Sequence, residues 1–299
     1  MLAFQLKEDT MNQDSDSGPI GRQIHKELGL QPKLSHDDLW PQTRAAIEQR
    51  GYTRLKRIAG GGYGVVISAR HASTGAQRAI KVVREPDNET SLHAFQRECR
   101  ILSTAELPSG LAPQFYEQEL STGIQPFLVQ EWLDGETLEN YISSHPSLSM
   151  KQREFLCEML FRVYDRLHQA NLLHRDVSAR NIMISKGQIR LIDFGSAGRK
   201  DEGYVSLNTQ SRVPLTPGYA SDEMLKGETR GSVEHEVHAI AKVAFLILTG
   251  QRADRLPAQN WKSTMLKQGC DPHVVSAIVL PRMQQPPEKL VPIGPTIDS

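Results

Sequence analysis

A chain of 299 residues with 38% hydrophobic and 23% charged side chains is long enough for one large two-lobed domain, or two domains, with a tail. Its 35 Lys and Arg balance its 35 Asp and Glu, which argues against a general nucleic-acid binder or a binder of anionic membranes. Three widely spaced cysteines (Cys99, Cys157, Cys270) form neither a disulfide framework nor a CxxC metal pair, the longest apolar run (243–248) is too short to cross a bilayer, and MLAFQLKEDT carries no secretory pattern, so a cytoplasmic protein is expected.

Residues 1–34 are polar and mixed, and a flexible N-terminal segment is expected there. A helix is predicted over 35–51. Ser35 is followed three positions later by the acid Asp38, Pro41 fits its first turn, and Gly51 ends it. YTRLKRI (52–58) and GVVISAR (64–70) read as strands flanking a glycine cluster, and QRAIKVV (77–83) follows the turn signal STG (73–75). SLHAFQRECRILSTA (91–105) is helical, with Leu92, Phe95, Cys99 and Leu102 on one face. FLVQEWL (127–133) returns to strand. From about 138 the chain turns helical: Phe155, Met159, Val163 and Leu167 suggest one buried stripe, and HAIAKVAFLILTG (238–250), apolar nearly all round, predicts a buried helix. A strand-rich half thus precedes a helix-rich half, with the boundary near 131–137.

Four groups of residues carry chemistry. AGGGYGVV (59–66) joins two strands, and its glycines let backbone N–H groups approach phosphate oxygens, although such a loop alone is also an ordinary hairpin. Lys81 lies on the next strand, and Glu98, 17 residues later, is a helix carboxylate available to hold it. In HRDVSARN (174–181), Asp176 can accept a proton from a substrate hydroxyl. Asn181 and Asp193, the latter opening DFG (193–195), supply hard oxygens suited to Mg2+, which keeps waters and substrate phosphates in its shell.

In this order, AGGGYGVV, AIK, Glu98, HRDVSARN, DFG, TPGYASDE and EVHAIAKVAFLILTG resemble the eukaryotic-like (Hanks-type) protein kinase superfamily. The resemblance covers roughly 52–290. It implies an α+β fold of two lobes: a small antiparallel sheet with one helix (52–130), a hinge (131–137) and a larger helical lobe (138–290), followed by a tail at 291–299. It also implies residue roles. Ile58, Gly60, Gly61, Gly62, Tyr63 and Gly64 would cover the phosphates and ring of ATP, and Lys81, braced by Glu98, would hold the α and β phosphates. Val66, Ala79 and Met183 would sandwich adenine, Glu131 and Leu133 would hydrogen-bond it, and Gln130 would stand behind it as gatekeeper. Asp176 would be the catalytic base, oriented by Thr216, and Asn181 and Asp193 would hold Mg2+. His174, Phe194 and Leu102 would stack in an apolar column.

The departures fall on scaffolding. Ala59 replaces the first glycine of the loop, Ser221-Asp222-Glu223 replaces APE, Leu290 stands where that acid's arginine partner is expected, and Glu236 replaces an aspartate that anchors the catalytic loop. Only 49 residues follow Gly250, so abbreviated substrate-docking helices are expected. Ser178 stands where serine/threonine kinases carry lysine, and Ala179-Arg180 resembles the tyrosine-kinase pattern, with Arg180 able to supply positive charge. LTPGY (215–219) resembles the serine/threonine type, so Ser/Thr acceptors on protein substrates are expected, with Arg175 receiving a phosphate added by autophosphorylation within 194–222, at Ser206, Thr209, Ser211 or Tyr204. A pseudokinase scaffold, a small-molecule kinase and a tyrosine kinase are the competing readings.

Overall fold

The structure is a computed structural model, and it describes residues 36–60, 64–104, 106–200, 216, 218–220 and 232–284. The chain divides into two compact units: residues up to 92 with 118–128, and 93–117 with 129 onward.

The first unit is built on a sheet. Helix α1 (His36–Gln49) precedes strands β1 (Tyr52–Gly60), β2 (Gly64–His71) and β3 (Gln77–Val83). The five-stranded sheet is ordered β1-β2-β3-β5-β4, with β4 (Phe115–Glu119) and β5 (Phe127–Glu131) reaching it from the chain's later course. β1–β2 and β2–β3 are antiparallel. Val65, Ile67, Ile80 and Val82 are buried in the alternating pattern of a half-covered sheet. The turn at 73–75 forms as expected: Gly75 takes φ +66° and its N–H donates to His71 O at 2.8 Å. Strand β4 has no counterpart in the sequence reading, since FYEQE lacks a strong apolar alternation. Pro41 is the sixth residue of α1, in its second turn rather than its first, where it deletes one intrahelical donor.

The second unit is mainly helical. It contains most of α2 (Glu89–Ser103), β6 (Gly135–Thr137), α3 (Leu138–Ser144), α4 (Met150–Gln169), the pair β7 (Leu172–Leu173) and β10 (Gly198–Arg199), the hairpin β8 (Ile182–Ser185) and β9 (Gln188–Leu191), α5 (Val233–Thr249), α6 (Trp261–Lys267) and α7 (Leu280–Gln284). Helix α5 is buried along nearly its whole length, as its composition predicts, and stops at Gly250 with φ +72°. Helix α4 opens with a reciprocal cap between Ser149 and Gln152. It packs on α5, where buried Arg153 donates to Ile247 O at 2.6 Å.

The buried stripe of α4 differs from the expected one. Phe155 is 59% exposed and Met159 and Val163 are half-buried; the core face is Leu156, Leu160, Tyr164 and Leu167. Steps of four residues drift about 40° each around a helix, so three such steps turn about 120° and cannot keep one face. The three cysteines are buried thiols. Burial pushes the Cys157 thiol far up and that of Cys270 to about 11. No helix among the described residues is long and apolar enough to cross a membrane.

Candidate active site

In the second unit, the loop after β7 is fixed from below. Glu236 of α5 is buried, and its carboxylate accepts the Arg175 backbone N–H at 2.5 Å and faces His168 Nε2 at 2.6 Å. Burial pushes this carboxyl up, but the His168 bond and charge and the Arg175 N–H outweigh that and leave it below the usual carboxylate range. The extra methylene relative to aspartate therefore does not prevent Glu236 from reaching the loop. Arg175 takes a left-handed φ of +63°. Its guanidinium donates to Arg199 O at 3.0 Å and lies against Gly198, where a Cβ would come within 2.4 Å of it.

His174 is fully buried. Its Nε2 lies 3.0 Å from Ile192 O, and its Nδ1 accepts the Asp176 N–H at 3.4 Å, which together assign the neutral Nε2–H tautomer. Its ring stands 4.9 Å from that of Phe194, and Leu102 is also buried.

Above this base sits Asp176. Its Oδ1 accepts both the N–H of Thr216 at 3.1 Å and its hydroxyl at 2.8 Å, while Oδ2 accepts the Asn181 amide at 2.7 Å. The Asn181 amide also donates to Asp176 O at 2.9 Å. Both bonds use the amide nitrogen, so the carboxamide oxygen is directed elsewhere. Ile192 N–H donates to Asn181 O at 2.9 Å, so the residue preceding Asp193 is tied to the loop. Asp193 has φ +65° and is exposed. Next to it, Gly195 O accepts from Arg97 of α2 at 2.8 Å, and a Cβ on Gly195 would meet Ala94 at 3.4 Å. Glu98, on the same helix, is 2% exposed.

The Glu131 backbone N–H donates to Gln114 O at 2.8 Å, and its carboxylate accepts from Arg190 at 2.6 Å and from Gln114 N. Leu133 is buried, and Met183 lies half-buried on β8 opposite Thr137 and Arg190. The carboxamide oxygen of Gln130 is enclosed and has no hydrogen-bond partner among the described residues. Arg190, His168 and Tyr164 escaped the sequence reading; the last two lie on α4 just upstream of HRDVSARN, and proximity to that motif was their only signal.

Ser178 is enclosed, and Arg180 is engaged by a carboxylate. Ser178 is fully buried, with its hydroxyl unpartnered among the described residues. The Arg180 Nε donates to Glu139 of α3 at 2.7 Å, so its charge is already engaged by a carboxylate.

In the first unit, Lys81 stands opposite Val66 in the β2–β3 ladder, and Ala79 lies two residues away on the same face. Lys81 and Val66 are half-buried and Ala79 is buried. A Cβ on Gly64 would fall 2.7 Å from Val82 O, so only glycine fits the start of β2. On Gly60 the nearest atom would be the mobile end of Arg57. Ile58 falls at the register shift between Arg57 and Ala59 and is 47% exposed. Gly61, Gly62 and Tyr63 lie outside the described residues, as do Ser206, Thr209, Ser211, Tyr204, the Ser221-Asp222-Glu223 triplet and Leu290.

Among the described residues no three or more His, Cys, Asp or Glu side chains cluster to hold a metal ion. Mg2+ needs no such cage when substrate phosphates complete its octahedron. One carboxamide oxygen and one carboxylate, from Asn181 and Asp193, have the donor chemistry it takes.

A family model described as protein kinase domain matches residues 52–288. The serine/threonine-protein kinase PknA of Nostoc sp. is 28% identical over 222 residues, covering 70% of this chain and 38% of the relative. The serine/threonine-protein kinase PknK of Mycobacterium bovis is 25% identical over 273 residues, covering 87% of this chain and 24% of the relative. A probable serine/threonine-protein kinase PknB of Lactococcus lactis is 27% identical over 204 residues, with 67% and 32% covered. The chain thus spans well under half the length of each of these three relatives. With the family model matching most of its length, this chain belongs to the protein kinase domain family.

Proposed function

We propose that the chain is an ATP-dependent serine/threonine protein kinase acting on protein substrates, with its kinase domain at 52–290. The observation that carries this reading is the pair of hydrogen bonds from Thr216 to Oδ1 of Asp176. A carboxylate has about four lone-pair sites, and the three donors (the Thr216 N–H and hydroxyl and the Asn181 amide) leave one to accept a proton. Asp176 is thereby oriented as a general base. The acceptor oxygen bonds the γ-phosphorus, its proton passes to Asp176, and the bond to the bridging oxygen breaks to release ADP. The names of the relatives support serine and threonine as acceptors.

In this reading Lys81, braced by Glu98, holds the α and β phosphates, and Gly60–Gly64 cover them. Ile58, Val66, Ala79 and Met183 hold the adenine ring. The carbonyl of Glu131 and the backbone of Leu133 bind its edge; the Glu131 N–H is already used by Gln114. Mg2+, held by Asn181 and Asp193, would neutralise phosphate charge. Autophosphorylation within 194–222, received by Arg175, belongs to the same proposal.

Transfer of radiolabel from ATP to protein by wild type, and its loss in Asp176→Asn, tests the reading. Equal label from both proteins would overturn it.

A further inference from the structure

Helix α1 ends before the family match begins at residue 52, yet it is built into the first unit. Ile47 and Thr43 are both fully buried. The Thr43 hydroxyl accepts the backbone N–H of Gln125 at 2.8 Å, and Gln125 is itself fully buried. A buried helix-interior threonine that accepts from a loop 82 positions later is a specific tie, because a buried amide without a partner is costly.

Gln125 passes the tie on. Its side-chain amide donates to Arg84 O at 3.2 Å, and its neighbour Pro126 accepts the Val83 N–H at 2.9 Å. Val83 ends the strand that carries Lys81, and Arg84 follows it directly. Lys81 lies two residues before Val83, hence on the same face, and its cross-strand partner is Val66. The place where β3 is fastened is therefore held by a hydroxyl from outside the family's domain.

We propose that Thr43 is a positioning residue for the phosphate grip of Lys81, acting through Gln125 and the end of β3. The inference rests on the reading of Lys81 as the phosphate-holding lysine. Loss of the hydroxyl orphans the Gln125 amide and frees the end of β3. The lysine then spends less time in the place where it meets phosphate, and binding of nucleotide weakens while the protein acceptor is bound as before.

The test uses the full chain and the variants Thr43→Val, Thr43→Ser and Gln125→Met. It measures KM for ATP, KM for a peptide acceptor, binding of ADP without turnover, and amide hydrogen exchange at Gln125 and Val83. Thr43→Val is expected to raise KM for ATP and weaken ADP binding about fivefold, the equivalent of one ordinary hydrogen bond. Peptide KM should stay constant, exchange at Gln125 and Val83 should quicken, and Thr43→Ser should behave as wild type. Gln125→Met, which keeps the backbone tie but removes the link to Arg84, should shift KM for ATP in the same direction and carries the test where Thr43→Val does not fold.

Unchanged nucleotide affinity with quickened exchange would overturn the proposal. So would equal losses for ATP and peptide, which would mark a merely structural tie. Lys81→Met run beside them separates the two readings. Full activity in Lys81→Met removes the assignment of that lysine, whereas an inactive Lys81→Met with a neutral Thr43→Val removes only the role of Thr43.

Discussion

Thr216 donates its hydroxyl to Oδ1 of Asp176 at 2.8 Å across forty positions of chain. The Thr216 N–H reaches the same oxygen, so removing the hydroxyl alone leaves one of the two donors in place. Thr216→Val is expected to lower turnover about 10–100-fold with little change in KM for ATP, because the base is misoriented rather than lost. Phosphate incorporation into mixed Ser/Thr and Tyr peptide pools checks both the magnitude and the acceptor. Predominant phosphotyrosine with Thr216→Val harmless would overturn the Ser/Thr assignment.

Lys81 is half-buried on the face shared with Val66 and Ala79, so a methionine can occupy its space. Lys81→Met is expected to stay folded, with an unaltered melting temperature, and to lose about a thousandfold in turnover, since phosphoryl transfer depends on positioning and charge stabilisation. Steady-state assays on purified, folded protein decide this.

Ser178 stands where serine/threonine kinases carry lysine, and its burial decides what a lysine there would cost. Its side chain is enclosed, and its hydroxyl has no partner among the described residues. A lysine at this place must bury an ammonium or push the loop aside, which costs several kcal/mol, about 3–5 by analogy with an unpaired buried charge. Ser178→Lys should therefore melt well below wild type in nucleotide-free buffer, whereas Ser178→Ala, which removes an unsatisfied hydroxyl, should melt at or above it by about 1 kcal/mol in stability. Thermal denaturation of the three proteins gives the order; Ser178→Lys as the most stable would contradict the burial argument.

Glu236 makes an acid-branch prediction. Its folded carboxyl lies below the ordinary value of 4.5 because the His168 bond and charge and the Arg175 N–H outweigh burial. The folded state therefore binds fewer protons than the unfolded state, so this contribution is complete above about 4.5 and is lost as pH falls through the lowered value. Glu236→Gln should cost about 1–3 kcal/mol at neutral pH and flatten the loss of stability on acidification. Urea denaturation from pH 3 to 7 would show it; parallel pH profiles for the two proteins would show that Glu236 is not the titrating group.

The sequence by itself determined the order of strands and helices in most of the chain, the buried nature of α5 and which groups are candidates for handling phosphate. Each of these is local: a period of two or 3.6, a turn residue, or a short motif spacing. Tertiary structure decided which atoms meet. It brought Thr216 to Asp176 and Glu236 to Arg175, committed Arg180 to Glu139, and enclosed Ser178. It also turned Phe155 of α4 outward and tied Thr43 to Gln125. These outcomes depend on the closure of loops tens of residues long and on how whole faces pack, and no local pattern encodes the position of a partner that distant segments supply.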